Sequence, residues 1–327
     1  MLKHPLPRLD KDEELLNLLL PYCRFQKGTV WIDKASGHKI ACGDCTDEKF
    51  LSQLFSRENA SLAIHDPPYN FIAFKKSDVD EFITWSKRWI ELTEKFLKKN
   101  SSLYIWLGAD QKNGFQPLAA FIEMMSSIKF KSRSLITMRN QRGFGTLKNW
   151  MSIRQELLYY IKGKPFFNVE AEYTEIPKVL KGYYKKVNGR LTENIERSKS
   201  EHIRAGNVWI DIQQVFYRME ENVNGCYAQK PLKGIERIIL ASSKQNEIIT
   251  DFFAHSGTTL IASEKLKRKC FTVDIEPVFC EISLRRLENF RTNGKTGWQN
   301  SNPFVEEIKS DRRLKNYLKK KYNIEYI

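Results

Sequence analysis

Long apolar runs are missing from this sequence, and with them any membrane-spanning helix of about 20 residues. The longest candidate, Leu15–Leu20, is short and follows Asp10, Lys11, Asp12, Glu13 and Glu14, which is not the charge pattern of a signal peptide. Cysteine is scarce: six in 327 residues make no disulfide framework, and reduced thiols in a cytoplasmic protein are the expected state. Cys42 and Cys45 form a lone C-x-x-C, but Cys226, Cys270, Cys280 and the five histidines supply no second pair at zinc spacing. Metal and disulfide chemistry are therefore set aside. Internal repeats, low-complexity tracts and the G-x-G-x-x-G of dinucleotide sites are also absent.

Acidic charge is in short supply too. Lys plus Arg number 54 against 39 Asp plus Glu, a formal net charge of +15. Summed positive potential concentrates phosphate-rich ligands, so the excess points to a polyanionic partner, although an unspecialised basic protein has the same composition.

What is present alternates. A short amphipathic helix is expected around 12–20, then strands at 30–33, 39–42 and 61–65, the last ending abruptly at Asp66-Pro67-Pro68 because two prolines cannot continue a central strand. Apolar residues at helical spacing cover 79–97, and a strand is predicted at 102–107, a helix at 115–126 and strands at 132–138 and 155–161. From 167 to about 205 the periodicity fades, and Lys178, Lys181, Lys185, Lys186, Arg190 and Arg204 mingle with Tyr173, Tyr183 and Tyr184. That stretch is either a recognition element or a surface insertion with a solvated charged face. Alternation resumes with a helix at 234–243, a strand at 247–252, a helix at 258–267, a strand at 269–275 and a helix at 277–291; the end is polar and basic. The pattern is that of an α/β sheet with helices on both faces.

Two segments carry chemistry. In the first, the strand through Asp251, Phe252 and Phe253 turns through Ala254, His255, Ser256 and Gly257 into a helix that begins Thr258-Thr259. Small residues at such a turn let a ligand approach the backbone and aim free amides at an anion, or else they merely cap the helix. Asp274, ending the next strand, is placed to accept hydrogen bonds from ribose hydroxyls. An adenosine-containing ligand with a carboxylate end suits this unit. The second segment is Asp66-Pro67-Pro68-Tyr69. An aromatic amine is a poor nucleophile until its hydrogens are held by acceptors. A carboxylate beside a carbonyl that proline fixes can hold them, and Tyr69 offers a π-face for an extruded base. A rigid turn after a strand is the plainer reading.

With both segments in one chain, the sequence resembles the DNA amino-methyltransferases that modify adenine N6 or cytosine N4, with their DPPY catalytic motif and DPFAGSGTT-like cofactor motif. The catalytic motif comes first and a recognition region lies between the two, an order that resembles the circularly permuted β class. Gly43-Asp44-Cys45, Gly206-Asn207-Val208-Trp209 and Gln229-Lys230-Pro231-Leu232 extend the match over roughly 38–292.

The resemblance implies a Rossmann-like methyltransferase fold and S-adenosyl-L-methionine as cofactor. The chain is expected to divide into an N-terminal arm (1–29), a catalytic half (30–167), a target-recognition insertion (168–205), a cofactor half (206–292) and a basic tail (293–327), the match leaving the insertion and both ends uncovered. Asp66, Pro67, Pro68 and Tyr69 would hold the target base. Asp251, Phe252, Phe253, Ala254, Ser256, Gly257, Thr258 and Thr259 would surround the cofactor, with Asp274 on its ribose, Lys230 on its carboxylate, and Asp44 with Cys45 on its adenine. Double-stranded DNA is the implied partner; the resemblance allows a homodimer and a cognate restriction endonuclease. Two departures stand out: His255 where the family usually has Gly, and Phe252 where it often has Pro. The residue at 255 is expected to avoid a φ that only Gly tolerates, and its ring to pack or hydrogen-bond, since methyl transfer needs no imidazole. Adenine N6 is the expected target because the family's cytosine enzymes usually carry Ser where this chain has Asp66. Cytosine N4, an RNA substrate and a non-catalytic DNA-binding subunit stay open. Arg139, Arg142 and Lys148, flanking Gly143-Phe144-Gly145, are either on a mobile loop at the DNA or ordinary surface charge.

Overall fold

A computed structural model describes residues 4–68, 79–110, 114–146, 148–168, 173–177, 183–194 and 201–326. Asp12 caps α1 (Glu13–Leu19) by accepting the Leu15 N–H at 3.1 Å. The chain then enters the sheet through β1 (Val30–Ile32) and β2 (Lys39–Cys42), crosses α2 (Glu48–Phe55), and returns as β3 (Ala60–His65). Next come α3 (Val79–Phe96), β4 (Leu97–Leu107), α4 (Leu118–Met125), β5 (Lys131–Thr146), β6 (Asn149–Lys162) and β7 (Val208–Trp209). The remainder runs through α5 (Leu232–Ser242), β8 (Ile248–Asp251), α6 (Thr258–Lys265), β9 (Lys269–Asp274), α7 (Pro277–Asn293), α8 (Val305–Ser310) and α9 (Arg312–Tyr322). No described helix is long and apolar enough to cross a membrane.

The main sheet has nine strands in the order β1-β2-β9-β8-β3-β4-β6-β5-β7. From β2 to β4 the neighbours are parallel; β6 runs antiparallel to both β4 and β5. Every residue of β3 and of β8 is buried, as expected of parallel strands covered on both faces. The pleat divides their side chains. Ala41, Ala63, Leu103, Ile105 and Val273 pack with α2, α3 and α4, while Ile40, Cys42, Leu62, Ile64 and Trp106 pack with α5, α6 and α7. This is the α/β sheet with helices on both faces that the alternation predicts, in the Rossmann-like arrangement that the resemblance implies.

A third cluster joins the two ends of the described chain. Leu9, Leu15 and Leu19 meet Phe304, Ile308, Leu314 and Leu318 over the outer side of α7. Buried Asp12 ties them, accepting from Tyr317 and Tyr322 hydroxyls at 2.6 Å and from Lys321 Nζ at 2.9 Å. The basic C-terminal stretch is thus folded against the domain. Within 168–205, Tyr183–Val187 pairs with Arg190–Asn194 and Tyr173–Pro177 with His202–Arg204, two small ribbons outside the main sheet.

β5 and β6 outrun the strands predicted at 132–138 and 155–161. The physical reason is cross-strand pairing that runs on past the end of β4. β4 ends opposite β6 at Leu107↔Glu156, β7 reaches only as far as Trp209↔Met138, and beyond Met138 the described pairings of β5 are with β6 alone.

Candidate functional site

β3 and β8 lie side by side, with Leu62 opposite Ile249 and Ala63 opposite Thr250. From β3 the chain moves through α3 to β4; from β8 it moves through α6 to β9, on the other side. The carboxyl ends of β3 and β8 therefore border the crevice where strand order reverses, the usual ligand position in open α/β sheets. Asp66 and Asp251 stand at those two ends.

His65, which the sequence reading passes over, ties the ends together. Its Nδ1 accepts the Phe252 N–H at 3.2 Å, and its Nε2 lies 3.0 Å from Thr93 Oγ1 on α3. The Thr93 hydroxyl donates to the Trp89 carbonyl, so Nε2 carries the proton and Nδ1 is bare. Burial pushes the ring's pKa down to about 3, which keeps it neutral.

Asp66 follows directly. Its Oδ2 pairs with Lys230 Nζ at 2.8 Å, while its buried Oδ1 finds no hydrogen-bond partner among the described residues. Burial raises the Asp66 pKa and the Lys230 charge opposes that shift. Lys230 is itself buried, its ammonium 5.4 Å from the centre of the Trp106 ring. Its main chain is held as well, by the Thr258 hydroxyl donating to the Lys230 carbonyl at 3.4 Å. The sequence places Asp66 on the base and Lys230 on the cofactor; the structure brings the two into one ion pair. Pro67 is buried and Pro68 half-buried, and Tyr69 lies outside the described residues.

The loop after β8 is built on backbone hydrogen bonds. Asp251 accepts the Phe253 N–H at 2.9 Å and the Thr259 hydroxyl at 2.5 Å. Burial pushes its pKa up to about 7 against those two bonds, with Asp66 and Asp274 adding to the rise. Asp274 accepts the N–H groups of His255 at 2.8 Å and Glu276 at 3.0 Å, and burial lifts it to about 6. Gly257 takes φ +72°, and a Cβ there would meet Ser283 Oγ at 2.8 Å, so only Gly fits.

His255 overturns the expectation that its residue avoids a Gly-type φ, because it adopts φ +45°. Such a backbone costs a non-Gly residue about 1–2 kcal/mol. It is held there by the hydrogen bond to Asp274 and by its ring packing edge-on against Phe279, centroids 4.9 Å apart. The imidazole packs, as expected.

Arg286, another residue the sequence reading omits, braces the loop from below. Fully buried on α7, it donates to the Ser256 carbonyl at 2.8 Å, to Thr258 Oγ1 at 3.0 Å and to the Glu221 carbonyl at 3.1 Å. A charged residue spaced four after Ile282 on an apolar helix face was the available signal. On the opposite flank, the Gly43 N–H donates to the Asp274 carbonyl at 2.9 Å, which brings the 43–45 turn to the end of β9. Asp44 is exposed, with Oδ1 accepting the N–H and hydroxyl of Thr46; the Cys45 thiol lies in the core instead.

The cleft so formed is lined by Asp66, Asp251, Trp106, Lys230, Phe253 and the loop as far as Thr259. Its apolar walls and converging carboxylates, one with an unpartnered buried oxygen, suit a ligand with an aromatic part and positive charge. S-adenosylmethionine has both.

A family model described as DNA methylase, for the N6 and N4 enzymes, matches residues 60–285. The Type II methyltransferase M1.MboII of Moraxella bovis is 30% identical over 266 residues, 73% of this chain and 90% of that protein. The DNA adenine methyltransferase YhdJ of Escherichia coli K12 is 28% identical over 239 residues, 71% of this chain and 77% of its own length. The solved PvuII DNA methyltransferase, cytosine-N4-specific, superposes with a TM-score of 0.54 over 81% of this chain and 95% of that one, at 16% identity, a likeness of fold alone.

Proposed function

The chain belongs to the N6/N4 DNA methylase family, whose members methylate DNA with S-adenosylmethionine as cofactor, and from that premise we propose that its target is N6 of adenine at a specific site in double-stranded DNA. The observation that carries this reading is the bare, buried Oδ1 of Asp66 at the crevice between β3 and β8. There it can accept a hydrogen from an exocyclic amine whose base has left the stack. Lys230, bound to the other oxygen, opposes the effect of burial and so favours the anion, which accepts hydrogen bonds more strongly than an acid does. Pro67 fixes the chain beside it, so its carbonyl is a second acceptor in a rigid frame.

When bound, the cofactor supplies an electrophilic methyl on a positively charged sulfur. Asp251, Thr259 and the loop from Phe253 to Gly257 are the residues proposed to hold it, with Asp274 and the Asp44 turn at its adenosine end. Lys230 lies between the two ligands and is proposed to meet the methionine carboxylate while remaining beside Asp66. Alignment of amine and methyl, and exclusion of water, then supply most of the rate. Residues 168–205 are proposed as the target-recognition element, in a sequence-specific enzyme that works beside a cognate restriction endonuclease.

Adenine rests on Asp66 itself and on the kinship with YhdJ, named for adenine. The test is to incubate enzyme, labelled cofactor and unmethylated DNA, digest to nucleosides and separate them by mass spectrometry. Label in N6-methyladenosine is expected. Label only in N4-methylcytidine overturns the base assignment and leaves the DNA methyltransferase standing.

A further inference from the structure

The antiparallel ribbon of β5 and β6 reaches past the edge that holds the site. His65 lies opposite Ile105, so Asp66 is level with the last residues of β4, and β4 ends at Leu107↔Glu156. Residues 149–155 of β6 continue beyond that edge, paired with the end of β5 through Arg139↔Arg154, Phe144↔Ser152 and Thr146↔Asn149. At about 3.3 Å per residue the ribbon projects roughly 20 Å. A two-stranded ribbon of that length reaches the floor of a DNA major groove, which is about 8.5 Å deep.

Its chemistry is distinct from the rest of the sheet. Residues 138–155 include Arg139, Arg142, Lys148 and Arg154 and no Asp or Glu. Arg139 faces Arg154 across the ribbon, a like-charge pair that costs stability unless an anion lies against it; Glu156 at the base offsets only part, 2.8 Å from Arg154. Near the tip Trp150 is 91% exposed and Met151 55%. An indole this exposed, on a projecting element that also carries arginines and a lysine, suits a partner that offers both aromatic base faces and phosphates.

We infer that residues 139–146 and 148–155 form a DNA-binding arm that lies in a groove of the duplex, with Trp150 against a base face uncovered when the target base leaves the stack and Arg139, Lys148 and Arg154 on phosphates. This rests on the reading of DNA as substrate, and places part of the duplex contact on the catalytic half, apart from the 168–205 insertion.

The test compares wild type, Trp150→Ala, Trp150→Phe and the double variant Arg139→Gln, Lys148→Gln on a fluorescein-labelled duplex carrying the site that methylation sequencing identifies. Trp150→Ala should weaken duplex binding about tenfold or more, and Trp150→Phe should recover most of it, because stacking needs a ring rather than an indole. The double variant should lower the slope of log affinity against log salt by about two. S-adenosylmethionine binding, measured by calorimetry, should be unchanged in all three, which also reports their folding. The arm is overturned if Trp150→Ala binds the duplex within about twofold of a wild type that methylates it. It is equally overturned if Trp150→Ala loses only self-association in sedimentation, which would give the ribbon to a second copy. A wild type that neither binds nor methylates duplex removes the functional reading along with the arm.

Discussion

The two sides of the sheet differ in the charge they offer beyond the carboxyl ends of the parallel strands. The parallel side, β2 to β4, is buried on both faces and ends in Asp66, Asp251 and Asp274, with Lys230 among them. The antiparallel side, β5 and β6, runs on past that edge with Arg139, Arg142, Lys148 and Arg154 and an exposed Trp150. In a chain of net charge +15, three acids stand at the carboxyl ends of the parallel strands, and four basic residues and no acid lie along 138–155. The division suits two ligands of opposite sign, a cationic cofactor held inside and a polyanion held outside. Burial is the first cause of the upward shift at Asp66, Asp251 and Asp274, and at Asp251 the other two carboxylates add to it.

Removing an acid from the crevice should do the most damage. Asp66→Ala is expected to cut methyl transfer by on the order of 100-fold or more, while cofactor affinity measured by calorimetry changes little. Single-turnover transfer of labelled methyl is the measurement. A variant retaining more than about a tenth of wild-type turnover would show that Asp66 does not position the amine.

Lys230 in the crevice should matter less, and in a pH-dependent way. Burial raises the Asp66 pKa and Lys230 holds it back, so Lys230→Met moves it further up. The carboxylate is then lost at a higher pH than in wild type, and the acid limb of kcat against pH moves upward. At saturating cofactor, Lys230→Met should lose activity on the acid side of the profile and recover as pH rises, while Lys230→Arg stays close to wild type. An equal loss at every pH would reduce Lys230 to a structural contact.

Much of the parallel side was legible because its signals are local. Asp66-Pro67-Pro68 after an apolar run, and Ser256-Gly257-Thr258-Thr259 after another, mark strand ends within a few residues, and both strands lie where predicted. α2 had a local signal too, with Asp47 capping Phe50, Leu51, Leu54 and Phe55 at helical spacing, that the sequence expectations leave unused. What no local pattern carries is pairing across the chain. Lys230 on Asp66, His65 under Phe252 and Arg286 under Ser256 each join residues distant in sequence, and depend on which strands become neighbours. The ribbon was illegible for another reason: Arg139, Trp150, Met151 and Arg154 in its outer half are exposed, so the apolar alternation that reveals strands is not kept up beyond the edge of the core.

His255 offers the smallest effect and tests how far the crevice depends on side chains at all. Three quantities compete when it is replaced by Gly. Relief of the left-handed backbone at φ +45° returns about 1–2 kcal/mol. Against that, Gly adds freedom to the unfolded chain worth roughly 0.5–1 kcal/mol, and the edge-on contact with Phe279 is lost, worth roughly 0.5–1.5 kcal/mol. The sum lies close to zero, so His255→Gly should change unfolding free energy by less than about 1 kcal/mol in either direction. Cofactor affinity should hold as well, because the bond to Asp274 is made by the main-chain N–H, which Gly keeps. Denaturant unfolding and calorimetry read the two quantities separately. A loss of stability above about 2 kcal/mol would show that the ring holds the loop in place. A loss of cofactor affinity at unchanged stability would show that the imidazole itself meets the ligand.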